Sequence, residues 1–291
     1  MPEDHPPVSE DRPPDAGADP PDAGADPPAY ETVNLRLDDG AATIELNRPA
    51  TLNAWNRQLG LDLLAAVDRV AGDPAVRAVV IRGAGRGFSS GADLGALRRE
   101  PAPDGRPDVR RILTGTYHPI IEGIRRMDKP VLAAVHGPAV GIGLSLALAC
   151  DLVVAAQSAY FMLAFVNIGL VPDGGASAFV ASRVGITRAA EMAMLGEPVA
   201  ADRALAWGLI NAVHPDDAFD AAVTALAARL AAGPTRSHVG AKRQLDRWFY
   251  RDLAAQLELE AGIQQEMART GDFLEGVAAF VEKRPARFAG S

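Results

Sequence analysis

The chain has 291 residues, 48% of them apolar and 23% charged, which is ordinary globular composition for one large domain or two modest ones. Its only cysteine is Cys150, so a disulfide framework and a Cys-rich zinc site are excluded and a reducing compartment is expected. The net charge of −8 is concentrated at one end: residues 1–29 hold eight acidic residues and one base, Arg12, while the other 262 residues carry 29 acids against 28 bases. A body so close to neutral gives no electrostatic footprint for nucleic acid. No apolar run reaches the roughly 18 residues of a membrane span, and the N-terminus lacks an apolar signal core. The expectation is a cytoplasmic protein with neither membrane nor nucleic-acid partners.

Residues 1–29 contain nine of the 22 prolines and repeat PPDAGAD at 13–19 and 20–26. With Val8 as their single branched aliphatic residue they bury too little surface to offset ordering entropy, so this segment is expected to be a disordered leader. From Tyr30 the pattern changes. Val33, Leu35 and Leu37, then Ala42, Ile44 and Leu46, alternate around Asp38-Asp39-Gly40 and predict a β-hairpin. Leu59, Leu63, Val67 and Val70 predict a helix over 57–71, ended by Asp73-Pro74. Val76–Ile81 is a buried strand, followed by a Gly-rich loop, a short helix and a polar surface loop at 100–110. A helix over 111–127 turns at Lys129-Pro130 into a strand at Val131–Val135. A second Gly-rich loop, a helix at 143–150 and a strand at Leu152–Ala156 follow. Strand, loop, helix and strand in this rhythm mean α/β with largely parallel sheets. Beyond about 187 the pattern is helical. Leu259, Ile263 and Met267 form an apolar stripe, and Asp272 with Glu275 have capping-box spacing ahead of Val277, Phe280 and Val281.

Both Gly-rich loops, Gly83–Leu94 and His136–Leu144, follow strands and enter helices. Each therefore offers backbone N–H groups at a positive helix end. The second has Gly141-x-Gly143 but Leu146 where a dinucleotide fingerprint needs its third glycine, and no P-loop pattern is present. Ser89 and Ser90 lack a GxSxG elbow, and no paired histidines have metal-ligand spacing. Two readings of the loops remain: a pair of backbone donors able to grip an oxyanion, or plain tight strand-to-helix turns.

Six stretches together resemble the crotonase superfamily, the enoyl-CoA hydratase/isomerase family. They are Leu46–Pro49 with Leu52–Ala54, Gly87–Leu94, Lys129–Gly143, Ala149-Cys150-Asp151, Gly169–Gly175 and Ala279–Arg284, in order over nearly all of 30–291. The resemblance implies an α/β fold with a crotonase-like ββα spiral core over 30–225. It implies a C-terminal α-helical trimerisation region over 226–291, and a homotrimer or homohexamer. It also implies an acyl-CoA thioester as small-molecule substrate, with no further cofactor and no metal.

By motif position, the family's two thioester-oxygen donors fall on the backbone N–H groups of Ala92 and Ile142. Substrate contacts fall on Ala54, Gly91, Asp93, Leu94, Gly141, Phe165 and Lys283. Where family hydratases place two glutamates, this chain has Ser145 and Phe165. The acid that shuttles a proton in the family's 3-enoyl to 2-enoyl isomerases corresponds to Asp173, in a loop shared with isomerases of the phenylacetate-pathway type. Asp173 could serve as that base or cap the helix beginning near Gly174. The expected activity is 3-enoyl-CoA to 2-enoyl-CoA isomerisation, the alternatives being enoyl-CoA hydratase and a non-catalytic acyl-CoA-binding protein. Cys150 is expected in the core and Asp151 in a structural role. His118 and His136 are expected in the core or at the surface.

Overall fold

A computed structural model describes residues 30–97 and 106–291. The leader at 1–29 and residues 98–105 of the polar stretch lie outside the described residues. The hairpin is formed by β1 (Val33–Asp38) and β2 (Ala41–Leu46), paired antiparallel with Leu35 opposite Ile44. Helix α1 (Arg57–Gly72) follows; the Asn56 side chain caps it by accepting from Leu59 N at 2.9 Å. Then come β3 (Ala78–Gly83), α2 (Leu94–Leu97) and α3 (Val109–Ile112). A π-helical turn at Leu113–Tyr117 joins α3 to α4 (His118–Arg126), so the helix expected over 111–127 is interrupted.

From β4 the ββα rhythm is explicit. β4 (Val131–Val135), β5 (Pro138–Val140) and α5 (Ile142–Ala149) make one turn of a spiral. β6 (Leu152–Ala156), β7 (Tyr160–Met162) and α6 (Ala176–Leu195) make the next, with a 3₁₀ turn at Ala164–Ile168 before α6. Within each turn the first strand joins a six-stranded sheet ordered β1-β2-β3-β4-β6-β9, and the second joins a three-stranded sheet ordered β5-β7-β8. The remaining elements are β8 (Val199–Ala200), α7 (Ala201–Ala206), β9 (Ala212–His214), α8 (Phe219–Ala232), α9 (Thr235–Phe249), α10 (Leu253–Met267) and α11 (Gly271–Glu282).

From β2 onward the six-stranded sheet is parallel: β2, β3, β4, β6 and β9 pair parallel in that order. Parallel strands buried on both faces need apolar residues at successive positions, and β4 (VLAAV) is buried throughout. Alternate residues serve two cores. Val79, Ile81, Val131, Ala133 and Val135 join the main core with α1, α4 and α5. Val80, Leu132, Ala134 and Val154 pack under Phe219, Val223 and Ala227 of α8. The expected boundary at 226 falls inside α8, a helix that covers the sheet.

One C-terminal expectation, the capping box, is corrected. Of the apolar stripe on α10, Met267 packs against the main core and Leu259 is 54% exposed in the single chain, while the same helix turns Leu257, Glu260, Ala261 and Gln264 inward, two of them polar. The cap of α11 is Thr270, whose side chain accepts from Phe273 N at 3.1 Å. Asp272 instead accepts from Ala289 N and Gly290 N, and Glu275 pairs with Arg284 at 2.6 Å.

Candidate active site

Polar groups of the segment at 48–55 brace the first Gly-rich loop. Asn53 is fully buried; its Nδ2 donates to the carbonyls of Ala84 (2.9 Å) and Gly87 (2.8 Å), and its Oδ1 accepts from Arg48 N at 2.8 Å. Arg48 also donates to the Ala54 carbonyl and pairs with Asp93 at 3.2 Å. Trp55 forms a parallel bridge with Ala92: Trp55 N donates to Gly91 O, and Asp93 N donates to Trp55 O. In such a bridge the N–H of the central residue, Ala92, faces away from the partner strand. The second loop is bridged to the first through Ser89 and Ala139. It ends at Gly141 (φ 54°, ψ −126°), which opens α5 without a side-chain cap. The Ile142 N–H therefore belongs to the orphan donors of a helix start. Among the described residues, neither the Ala92 nor the Ile142 amide donates to a backbone carbonyl.

Two glycines have different reasons. At Gly91 (φ +95°) a Cβ would lie 3.0 Å from the Val140 carbonyl oxygen, so a side chain there would press on the second loop. At Gly141 there is room for a Cβ, and it is the backbone conformation, φ 54° with ψ −126°, that requires glycine.

The donors open into a cavity of about 530 Å³. Ala54, Gly91, Ala92, Asp93 and Leu94 line it from the first loop, Gly141 and Ile142 from the second, and Phe165 and Asp173 from the strand-to-helix segment before α6. Lys283 is not among the lining residues; it is exposed in the left-handed position that ends α11, and α11 contributes Phe280 and Val281 instead. Arg284 is engaged by Glu275 and Glu282. Phe165 is buried, and Ser145 donates to the backbone carbonyl of Asp173 at 2.7 Å.

Asp173 is only 5% exposed. Its Oδ2 accepts from Gln264 Nε2 at 2.7 Å, and its Oδ1 has no hydrogen-bond partner. Burial pushes its carboxyl from 3.8 up to about 7, against the lowering effect of the Gln264 hydrogen bond and with a further raise from Glu260. The side chain does not cap α6. That helix start is held by Glu260 of α10, which accepts from Gly175 N (2.7 Å) and Ser177 N (3.1 Å). A buried carboxyl that titrates near neutrality, in one cavity with two free backbone donors, is equipped for proton transfer beside a developing oxyanion.

The sequence reading missed Tyr117 and Gln264, both of which line the cavity. Tyr117 ends the π turn and packs edge-on against Trp55 at 4.9 Å. Burial raises its hydroxyl's pKa, and the Asp173 and Asp93 carboxylates add to this. Nothing in its sequence neighbourhood singled it out. Gln264 was equally unmarked: beside Gln256, Glu258, Glu260, Gln265 and Glu266 it reads as one of several polar positions on α10.

The remaining polar candidates fall elsewhere. Asp151 accepts from Val131 N and pairs with Arg125 and Lys242. Cys150 is fully buried, its thiol pushed up to about 12 by burial. His118 is buried and His136 contacts the Gly85 carbonyl; neither lines the cavity.

A family model described as "Enoyl-CoA hydratase/isomerase" matches residues 36–291. A "Probable enoyl-CoA hydratase" from Rhodobacter capsulatus is 42% identical, over 90% of this chain and 99% of its own. A "1,2-epoxyphenylacetyl-CoA isomerase" from Escherichia coli is 35% identical, over 89% and 99%. The crystal structure of an enoyl-CoA hydratase from Mycobacterium avium subsp. paratuberculosis superposes with a TM-score of 0.82 at 39% identity, covering 90% of this chain and all of that one. The chain belongs to the enoyl-CoA hydratase/isomerase family, within the crotonase superfamily, and is an enzyme of that family. Among the described residues no helix is long and apolar enough to cross a membrane.

Proposed function

We propose that this enzyme isomerises a 3-enoyl-CoA to the conjugated 2-enoyl-CoA, with Asp173 as the proton shuttle. The observation that carries this reading is the buried carboxyl with an unpartnered oxygen in the cavity that the two loop amides enter. The Ala92 and Ile142 N–H groups hold the thioester oxygen and stabilise the enolate when Asp173 removes a proton from C2. Asp173 then returns that proton to C4, and the double bond closes between C2 and C3. A base with a pKa near working pH is suited to both halves of this cycle. Phe165 and Leu170 keep the site dry, and Ser145, spent on the Asp173 carbonyl, is no carboxylate to activate water. The substrate is carried as its CoA thioester without a further cofactor, and Lys283 is assigned to the CoA phosphates.

The test is direct. Purified enzyme is offered a 3-enoyl-CoA and a 2-enoyl-CoA, and conjugated product and hydrated product are followed separately. Turnover of the first with slow hydration of the second is expected. Efficient hydration without isomerisation makes the protein a hydratase, and binding without turnover of either makes it an acyl-CoA binder.

The same reading makes the molecule a homotrimer or homohexamer. Leu245, Trp248 and Phe249 of α9 are exposed in the single chain, and apolar groups of that size are commonly covered by a neighbouring subunit.

A further inference from the structure

Gln264 lies on α10, 91 residues from Asp173 in sequence, and is fully buried. Its amide has only one orientation compatible with its neighbours. Val171 N can only donate, so the atom it meets at 3.2 Å is the carbonyl oxygen Oε1. The other end, Nε2, is thereby turned to Asp173 Oδ2 at 2.7 Å. A single side chain thus ties the Val171 backbone and one carboxyl oxygen of Asp173 into one rigid unit, while the second carboxyl oxygen, Oδ1, is buried without a partner.

We infer that Gln264 is the positioning residue of the proton shuttle: its amide, set by the Val171 N–H, engages Oδ2 of Asp173 and leaves Oδ1 as the oxygen that takes and returns the proton. This rests on the isomerase reading. In the forward step the C2–H bond breaks, its electrons enter the thioester enolate and an O–H bond forms at Oδ1. In the return step that O–H bond breaks, the C3=C4 π pair takes the proton to form the C4–H bond, the enolate C1=C2 pair becomes the C2=C3 double bond and the thioester carbonyl is restored. No oxidant, reductant or second base is required. Gln264 touches none of the reacting atoms; it acts through Asp173.

Among the described residues few charged or titratable groups face Asp173. Glu260 raises its pKa from α10, one helical turn before Gln264, and Tyr117 faces it from the π turn. Glu260 is engaged by Gly175 N, Ser177 N and the Ser177 hydroxyl. The Gln264 N–H is thus the donor that favours the anionic carboxyl, and its loss makes deprotonation harder.

The experiment titrates Asp173 directly in the full-length enzyme. The carboxyl C=O band is read by infrared difference spectroscopy against the matching Asp173→Asn protein, in wild type, Gln264→Met and Gln264→Leu. Gln264→Met keeps the volume and loses the donor. Gln264→Leu loses the donor and adds no titrating group. The expected result is a midpoint displaced upward by about one pH unit or more in both variants. The acid limb of kcat/KM for the 3-enoyl-CoA moves with it, while the Kd of a saturated acyl-CoA stays the same. Thermal melting confirms which variants are folded, and either one suffices. An unmoved midpoint in a folded variant overturns the positioning role alone. Full turnover in Asp173→Asn overturns the isomerase reading, and the shuttle with it.

Discussion

Asp173 sits in a place that costs the fold and suits the proposed chemistry. An isolated carboxylate in an apolar site is expensive, and here the expense appears as a carboxyl pushed up to about 7. The linkage has a definite sign. A folded-state pKa above the unfolded value means that the contribution is fully present below about pH 4 and is lost as pH rises through about 7. Asp173→Asn removes the penalty, because Asn can accept from Gln264 through its oxygen. The variant is expected to match wild type near pH 4 and to exceed it by a few kcal/mol at pH 8, an order of magnitude set by about 1.4 kcal/mol per pH unit. Denaturant unfolding at the two pH values checks this, and equal stabilities at pH 8 would mean that Asp173 is not desolvated. The oxyanion donors make a separate claim at the same scale. Ala92→Pro deletes one N–H and is expected to lower kcat by roughly 100–1,000-fold, provided that circular dichroism shows the fold intact; a folded variant with full activity would place the thioester oxygen elsewhere.

At the scale of elements, the loop bearing Asp173 owes its shape to α10. Glu260 replaces the missing cap of α6, and Gln256 reaches the Ser177 hydroxyl at 2.8 Å. Glu260→Leu strands two N–H groups. It is expected to cost about 2–5 kcal/mol in denaturant unfolding and to lower isomerase turnover as well; a change within experimental error would show that the Asp173 loop holds its own shape. This dependence also marks the limit of what the sequence revealed. The α/β rhythm was legible because β3, β4 and β6 are largely apolar runs set between turn and loop residues. The two loops were legible from their glycines, and the resemblance assigned Ala92 and Ile142 within them because the motif positions lie in local stretches of chain. The partners of Asp173 were not, because Glu260 and Gln264 lie about 90 residues away and look like solvent-facing polar residues on a helix. Likewise the apolar stripe of α10 said nothing of its neighbouring inward positions, Glu260 and Gln264, which are spent on hydrogen bonds. Tyr117 was hidden by a π turn, which shifts helical phase without any glycine or proline to announce it.

For the whole molecule, the spiral stacks strands into two sheets and brings a 3₁₀ turn, two glycine loops, a π turn and the last two helices around one cavity. Phe280, 64% exposed, and Val281 stand at its α11 side. An assembly that covers the exposed face of α9 is expected, and light scattering should give three or six times the chain mass of 30.5 kDa; a stable monomer at micromolar concentration would contradict it. The central claim, that one buried carboxyl moves the proton, is tested most directly by comparing wild type with Asp173→Asn on a 3-enoyl-CoA. The formation of the conjugated thioester is followed, and the Kd of a saturated acyl-CoA is measured in parallel. The account predicts turnover reduced by roughly 100-fold or more with binding retained. Near-wild-type turnover in the Asn variant would contradict it.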